Sequence, residues 1–210
     1  FSFNVTNHLS AQYLLNKGLS VFSPSYDLNF QQLEELLISD LKQGDEHNIQ
    51  LAQHAEVTIH QYMPSFHMEH CVFASFLSDG SSIKDCGMPC LNNDIGIVDA
   101  KKINHPVLAD QECRNTMFNG TPQSAGSMIP KLLSLGVKQY RIEALTESTQ
   151  ILREKVLAYA NVLSGASNAK SLYKQLGIIE KYGISEGQQQ NLNVYSDRKK
   201  IKKDIPFKEV

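Results

Sequence analysis

The sequence predicts an α/β protein of the TIM-barrel type, because segments with strand-like and helix-like periodicity alternate along the chain. A complete barrel has eight strand–helix units in about 250 residues, whereas about four units can be recognised here. With 210 residues, of which 41% are hydrophobic, the chain can bury one substantial core. It begins at Phe1, directly in an apolar alternation. We therefore expect the C-terminal half of a barrel, in which either another chain supplies the rest or the fold closes differently.

Two units lie in the N-terminal part of the chain. Residues 2–5 are short and β-like, and residues 9–17 follow with helical spacing and end at Gly18, a residue typical of helix ends. Residues 19–23 repeat the β signal, and residues 30–41 place their leucines on one helical face. This order predicts strand, helix, strand, helix.

A third strand is followed by a long segment that breaks the alternation. Residues 56–60 are β-branched and alternating, which predicts a strand. From residue 61 to 126 the chain is rich in Gly, Pro, Asn and Asp and holds all four cysteines, with short β-like pieces at 95–98 and 106–109. Loops of this length are functional or disordered, and the many apolar residues argue against disorder. We interpret the segment as a functional insertion loop.

The alternation resumes after this loop. Residues 125–135 have the pattern of a helix closed by Gly136, and residues 137–144 that of a strand. Residues 148–163 form a long amphipathic pattern, which predicts a further helix. This part of the chain therefore supplies another strand–helix unit.

The predicted organisation is one domain with a tail. Residues 1–186 would form the barrel half, with the cysteine loop 61–126 inserted in it. Residues 187–210 are polar and contain runs of Arg and Lys, which cannot bury a core. We expect this basic tail to be flexible.

Charge and missing motifs exclude several classes of function. The net charge of −2 gives no overall basic field, so any nucleic-acid contact would have to be local. No stretch of about 18 apolar residues is present, so we expect no membrane partner. The serine-hydrolase elbow, the phosphate-binding glycine loop and the common dinucleotide fingerprint are also missing from the sequence.

The cysteines are the strongest functional signal in the sequence. Cys71, Cys86, Cys90 and Cys113 stand as C-x14-C-x3-C-x22-C, which suits one four-thiolate site. Structural zinc sites usually show two tight pairs, and only Cys86 and Cys90 form one here. The spacing thus favours an iron–sulfur cluster, with zinc and unligated thiols as alternatives. Cluster thiolates need a reducing environment, so we expect the cytoplasm or an organelle matrix.

Two histidines lie beside the first cysteine. His67 and His70 are three residues apart, whereas the zinc-peptidase signature places two histidines four apart on a helix. We therefore assign them to hydrogen bonding or packing around the cysteine site. Arg114 and Asn115 directly follow Cys113, and we expect them to hydrogen-bond near the cluster.

Six segments of the chain carry a resemblance to a known family. Three contain the cysteines: Met-Pro-Ser-Phe-His-Met-Glu-His-Cys-Val-Phe at 63–73, Cys-Gly-Met-Pro-Cys at 86–90 and Asp-Gln-Glu-Cys-Arg-Asn-Thr at 110–116. The other three lie at 4–7, 23–28 and 140–143. Together they resemble the collagenase-like peptidases of family U32, and the resemblance covers about residues 1–187.

The resemblance implies a TIM-type barrel and a [4Fe–4S] cluster held by the four cysteines. It also implies a part in hydroxylating RNA bases or a small aromatic substrate such as a quinone ring, although the family is named for peptidase activity. The leading interpretation is an iron–sulfur-dependent, hydroxylase-type enzyme. The alternatives are a literal collagenase-like peptidase, with a cysteine nucleophile paired to His67 or His70, and a non-catalytic cluster-binding fragment.

Candidate catalytic residues lie at the ends of predicted strands, where barrel enzymes build their sites. They are Asn7, Asp27, His60 and Glu143. Each has a structural alternative: Asn7 and Asp27 suit helix caps or turns, His60 suits a hydrogen-bonded core position, and Glu143 can pair with Arg141.

Overall fold

A computed structural model describes residues 3–38 and 50–187 of the chain. The basic tail predicted to be flexible lies outside the described residues, apart from its first residue. The chain divides into two compact units. One comprises Phe1–Ala55 with Gly187–Val210, and the other comprises Glu56–Glu186.

The described residues of the first unit form the helices α1 His8–Asn16, α2 Phe30–Ile38 and α3 Leu51–His54. Helix α1 begins where Asn7 accepts a hydrogen bond from the Ser10 amide at 2.9 Å, which satisfies one of the free amides of the first turn. The buried side chains of α2 are apolar and recur at helical spacing, as predicted. The last predicted residues of that helix, 39–41, fall outside the described residues.

The two strands predicted in this unit are reduced to single parallel bridges. Val5 bridges to Pro24, and Phe22 bridges to Ala55. Both Val5 and Phe22 are buried, so the β-like alternation correctly predicts their burial. It overestimates the length of the hydrogen-bonded ladder, because each segment has a partner at one residue only.

The second unit contains seven strands and four helices. In chain order these are β1 Glu56–Gln61, β2 Pro64–Met68, α4 Val72–Leu77, β3 Ile95–Val98, β4 Asn104–Ala109, β5 Asn115–Phe118, β6 Gln123–Ser124, α5 Ile129–Ser134, β7 Gln139–Ile142, α6 Thr149–Leu163 and α7 Ala169–Ile179.

A three-stranded sheet has the order β6-β1-β7. Strand β1 runs parallel to β7, as the predicted strand–helix alternation requires, and antiparallel to β6. Helix α6 follows β7, and Ser148 caps it by accepting a hydrogen bond from the Ile151 amide at 3.4 Å. Helix α7, which we did not predict, fully buries Leu172 and Leu176. Burying each such leucine stabilises the fold by about 1.5–3 kcal/mol.

A second sheet, four-stranded and antiparallel, has the order β2-β5-β4-β3. It lies in the segment 61–126, where the β-like pieces predicted at 95–98 and 106–109 are strand β3 and part of β4. Strands β2 and β5, and the pairing of all four strands into a sheet, were not predicted. These two strands have only four or five residues, and β2 is mostly exposed, which leaves little alternation to recognise. Phe73, Val107 and Met117 form a small apolar core here.

The observed fold is therefore mixed α/β, as predicted at the level of class. Residues 3–38 and 50–187 form no closed barrel. Within the described part of the chain, no helix has the length and apolar composition to cross a membrane.

Candidate functional site

Two of the cysteines flank strands that end on the same side of the four-stranded sheet. Met68, the last residue of β2, pairs with Asn115, the first residue of β5, and Asn115 also pairs with Ala109 at the end of β4. Cys71 follows β2, and Cys113 lies between β4 and β5. Both cysteines are therefore at one end of this sheet, which we call the cysteine end.

The other two cysteines reach the cysteine end through a tight turn. Cys86 and Cys90 flank Gly87 and Met88, whose φ angles of 68° and 52° lie in the left-handed region. Glycine adopts such angles freely, which makes Gly87 suitable for the turn. Cys90 packs with Cys71 against the core of Phe73, Val107 and Met117.

All four cysteines are free thiols of intermediate burial. Partial desolvation raises the pKa of the Cys113 thiol, and the charges of Cys71, Cys86 and Cys90 raise it further. Such mutual repulsion requires the sulfurs to be near one another. The fold thus brings four thiols together, although the first and the last, Cys71 and Cys113, are 42 positions apart in the sequence.

Hydrogen-bond donors already point at two of the sulfurs. The Ala74 amide lies 3.5 Å from Cys71 Sγ, and the Met88 amide lies 3.4 Å from Cys86 Sγ. Donors of this kind stabilise thiolate charge and tune the potential of sulfur-ligated iron. The cysteine end therefore has features of a thiolate site beyond the thiols themselves.

Asn115 is the buried polar residue that ties this end together. Its Oδ1 accepts a hydrogen bond from the Val72 amide at 2.7 Å, and its Nδ2 donates to the Cys113 carbonyl at 3.3 Å. The same Nδ2 lies 4.0 Å from Cys71 Sγ. Asn115 is 0% exposed, so these contacts replace water entirely. The side chain links the two segments that carry Cys71 and Cys113.

The other residues expected near the cluster make contacts with polar neighbours. Arg114 pairs with Asp110 at 2.8 Å and with Glu112 at 3.0 Å. These contacts hold the turn around Cys113, and Cys113 itself has a φ of 64°. Arg114 therefore shapes the loop that presents this thiol.

The two histidines are also engaged with hydroxyl groups. His67 Nδ1 lies 3.0 Å from Thr116 Oγ1, and His70 Nε2 lies 2.5 Å from Ser75 Oγ. His67 remains 54% exposed. These contacts fit hydrogen-bonding roles rather than the activation of a thiol.

A second site lies beside the three-stranded sheet, around a completely buried lysine. Lys155 of α6 is 0% exposed, and its Nζ lies 2.5 Å from Glu147 Oε1 and 2.5 Å from Glu180 Oε1. His60 Nε2 lies 3.4 Å from the same ammonium group. Burying an unpaired charge is costly, so the two carboxylates are what permit the lysine to be there.

Hydroxyl groups extend this network at both ends. Tyr62 donates a hydrogen bond of 2.5 Å to Glu180 Oε2. On the other side, His60 Nδ1 lies 3.1 Å from the Tyr159 hydroxyl, which lies 2.6 Å from Ser124 Oγ. We call the continuous set of Tyr62, Glu180, Lys155, Glu147, His60, Tyr159 and Ser124 the lysine network.

One carboxylate oxygen of the network, Oε1 of Glu180, has an ion-pair partner but accepts no well-aligned hydrogen bond. Glu180 Oε1 is buried and has no hydrogen bond of acceptable geometry, although Lys155 Nζ is 2.5 Å away. We regard the close ion pair as the dominant interaction, because charge attraction depends on distance more than on angle.

The charges of the network are fixed by burial and by one another. Burial and the Lys155 charge lower the pKa of His60 to about 4, against a smaller opposing effect of Glu147. His60 is therefore neutral near pH 7. Burial opposes ionisation of Glu147, but the Lys155 hydrogen bond and the Leu145 amide outweigh it and lower the pKa of this carboxyl. Burial and the bond to Glu180 raise the pKa of Tyr62 above its usual value.

His60, Glu147 and Glu180 also have the composition of a metal site. Their ligand atoms lie within 4.8 Å of one another. However, the Lys155 ammonium forms close ion pairs with both carboxylates and already supplies a positive charge between them. Lys155 therefore takes the place that a cation would occupy, and because His60 is neutral near pH 7 one carboxylate charge stays uncompensated.

Only one of the four predicted catalytic candidates belongs to this network. His60 lies near the carboxyl end of β1 and is part of it. Asn7 caps α1, and Asp27 lies 3.4 Å from the Ser25 hydroxyl. Glu143 lies 3.5 Å from Arg141, which is the pairing alternative that we considered.

Sequence reasoning missed most of the lysine network. One signal was available for Lys155, because it shares the buried stripe of α6 with Ala158, Tyr159 and Val162. A lysine on such a stripe must find a buried anion. The sequence does not indicate which carboxylates pair with Lys155, because Glu180 lies at the end of another helix, α7.

Of three comparisons with known proteins, one finds a match. No curated protein and no solved structure matches the chain. The model of peptidase family U32 matches residues 2–199, which is nearly the whole chain. The chain, with its four converging thiols and its parallel strand pair, therefore belongs to peptidase family U32.

Proposed function

We propose that Cys71, Cys86, Cys90 and Cys113 hold a [4Fe–4S] cluster that supports an oxidative modification, namely hydroxylation of RNA or of a small aromatic substrate. The observation that carries the proposal is the convergence of four free thiols at the cysteine end of the four-stranded sheet. Membership of peptidase family U32 agrees with it, because the match covers all three cysteine segments, whose resemblance to that family implies such a cluster.

The spacing of the cysteines in the sequence supports a cluster rather than one zinc ion. Structural zinc sites usually show two tight cysteine pairs, and only Cys86 and Cys90 form such a pair in this sequence. Cys71 and Cys113 lie far from this pair along the chain, which is compatible with a thiolate-ligated cluster.

When bound, a [4Fe–4S] cluster supplies one-electron transfer. The residues of this chain bind and orient it. The four thiolates are the ligands, and the Ala74 and Met88 amides donate to their sulfurs. Asn115 fixes the segments of Cys71 and Cys113 relative to each other. Thiolate ligation also favours a reducing compartment, so we propose the cytoplasm or an organelle matrix.

The literal peptidase alternative finds no comparable support. It needs a free cysteine activated by His67 or His70. Their contacts within 3.0 Å are with Thr116 and Ser75. If all four thiols are ligands, no cysteine of the chain is left as a nucleophile, because the sequence has four in total.

We also propose that β1 and β7 belong to a TIM-type barrel completed by further strands. Their parallel pairing supports this, since parallel sheets are normally built from several such units.

The metal content of the protein tests the cluster. Anaerobically purified protein should contain about four irons and about four acid-labile sulfides, with the broad visible absorption of a cluster. Changing Cys71, Cys86, Cys90 or Cys113 singly to Ser should abolish or greatly reduce both. His67→Ala is the matched control, because His67 is more than half exposed, and this variant should retain the cluster.

Zinc in place of iron, or iron that survives every cysteine change, would contradict the proposal. The modification itself is tested by mass spectrometry of nucleosides and small aromatic compounds from cells that contain the wild-type protein or Cys86→Ser. We expect a hydroxylated product that is lost in the variant. A product that persists in Cys86→Ser would show that the hydroxylation does not require the cluster.

A further inference from the structure

A cavity of about 290 Å³ lies beside the lysine network. Its inner wall contains Tyr62, Glu147 and Glu180, and its apolar lining includes Pro106, Ile151 and Ile179. Ligand pockets in proteins are mostly apolar with a few convergent polar groups, and this size suits a small molecule. The cavity therefore has the composition of a binding site.

The position of the cavity in the fold is also that of a site. Tyr62 directly follows β1, and Glu147 follows β7 before α6 begins. In parallel sheets, ligands bind at the carboxyl ends of the strands. The cysteine end is at the other end of the four-stranded sheet, since Cys71 follows the last residue of β2 while Tyr62 precedes the first. The cavity is thus distinct from the cysteine site.

The inner wall offers hydrogen-bond acceptors to a ligand. Tyr62 uses its single hydroxyl proton on Glu180 at 2.5 Å, which leaves its oxygen as an acceptor. The ammonium of Lys155 is fully buried behind the wall and faces Glu147, Glu180 and His60. A ligand that approaches this wall must therefore bring its own donor.

We propose that this cavity binds a small uncharged or cationic molecule with a hydroxyl or amine group, which donates its hydrogen to Tyr62. The Tyr62 oxygen accepts this hydrogen bond while its own proton stays in the bond to Glu180 Oε2, so no proton leaves the ligand. Lys155 is a positioning residue that holds the other oxygen of Glu180. The apolar lining offers a contact surface for an apolar ring of the ligand.

Three probes with the same ring and different head groups test the ligand class. Benzyl alcohol, benzylamine and benzoate are titrated into the full chain, and binding is measured by saturation-transfer NMR. We expect the alcohol and the amine to bind at least about tenfold more tightly than benzoate. The anion has no donor for Tyr62 and is repelled by the carboxylates, although the exposed Lys181 lies at the same cavity.

Two variants test the residues. Tyr62→Phe keeps the ring and should weaken the alcohol and the amine about tenfold while leaving benzoate unchanged. Tyr173→Phe is the matched control, because Tyr173 is also half-buried and hydrogen-bonded to a carboxylate, Glu186 at 3.0 Å, but does not line the cavity. It should bind all probes as the wild type does.

If Tyr62→Phe does not fold, as judged by circular dichroism, Ile151→Trp decides the question. Ile151 is at the wall and is 36% exposed, so a larger side chain can fill the cavity from its rim. We expect this variant to lose binding of the alcohol and the amine. Equal affinity for the three probes, a preference for benzoate, or unchanged binding in the variants would overturn the proposal. These outcomes do not depend on iron content, so they are separate from the test of the cluster.

Discussion

The cysteine end and the lysine network differ in how the fold positions their polar groups. The cysteine end collects half-buried thiols on short turns, and local backbone geometry at Gly87, Met88 and Cys113 aims them. The lysine network collects a buried ammonium, two carboxylates and a neutral histidine from α6, the segments after β7 and α7, and β1. In the lysine network the Lys155 ammonium offsets part of the carboxylate charge, and under the function proposed above a bound cluster would offset the thiolate charge of the cysteine end.

This difference predicts which site contributes to stability in the absence of ligands. A buried ion pair that loses one partner leaves an unpaired charge in a medium of low dielectric constant. Half-exposed thiols lose little when one is removed, because water can reach the others. Stability measurements should therefore respond to changes in the lysine network more strongly than to changes at the cysteine end.

The largest effect is expected for Lys155→Met, which removes the cation and leaves Glu147 and Glu180 buried together. The free energy of unfolding, measured by denaturant titration, should fall by about 3–5 kcal/mol. Lys174→Met on the exposed face of α7 is the control and should change it by less than about 0.5 kcal/mol. A loss below about 1 kcal/mol for Lys155→Met would show that the network is not held by its central charge.

An intermediate effect is expected from the pH dependence of His60. Its pKa falls from 6.5 to about 4 in the folded chain, so the unfolded chain binds the proton more readily. Stability should therefore be complete above about pH 6.5 and decline as the pH falls toward 4, by up to about 3 kcal/mol.

The variant His60→Gln isolates this contribution. The difference in unfolding free energy between wild type and variant should shrink as the pH falls from 6.5 to 4. His67→Gln is the control because His67 is 54% exposed, and its difference should stay constant over the same range. A constant difference for His60→Gln would mean that the histidine is not held neutral by its surroundings.

The smallest effect is expected at the cysteine end. Asn115→Ala leaves the Val72 amide without its buried acceptor and should cost about 1–3 kcal/mol of unfolding free energy. In protein that carries a cluster, a chelator should also remove iron from this variant faster than from the wild type. The control is Asn161→Ala, an exposed asparagine of α6 outside the cysteine segments, which should behave as the wild type does. Equal rates of iron removal from Asn115→Ala and from the wild type would show that Asn115 does not hold the cysteine segments in place.

The sequence was informative wherever the signal was local. Helices α2 and α6 follow from apolar spacing, and Asn7 and Ser148 lie at helix starts where side-chain caps are expected. Strands β1 and β7 follow from β-branched alternation. In the four-stranded sheet, the β-like pieces at 95–98 and 106–109 were recognised, whereas β2 and β5 were missed. They are short, β2 is mostly exposed, and the turn residues between the strands resemble an irregular loop.

By itself, the sequence determined the α/β class, the spacing of the four cysteines and the family to which the chain belongs. These depend on residue type and on separation along the chain. Only the tertiary structure decided that His60, Glu147, Lys155 and Glu180 meet, although up to 120 positions separate them. A buried charge selects its partner by distance in the folded state, and that distance is set by how strands and helices pack, which no local pattern encodes.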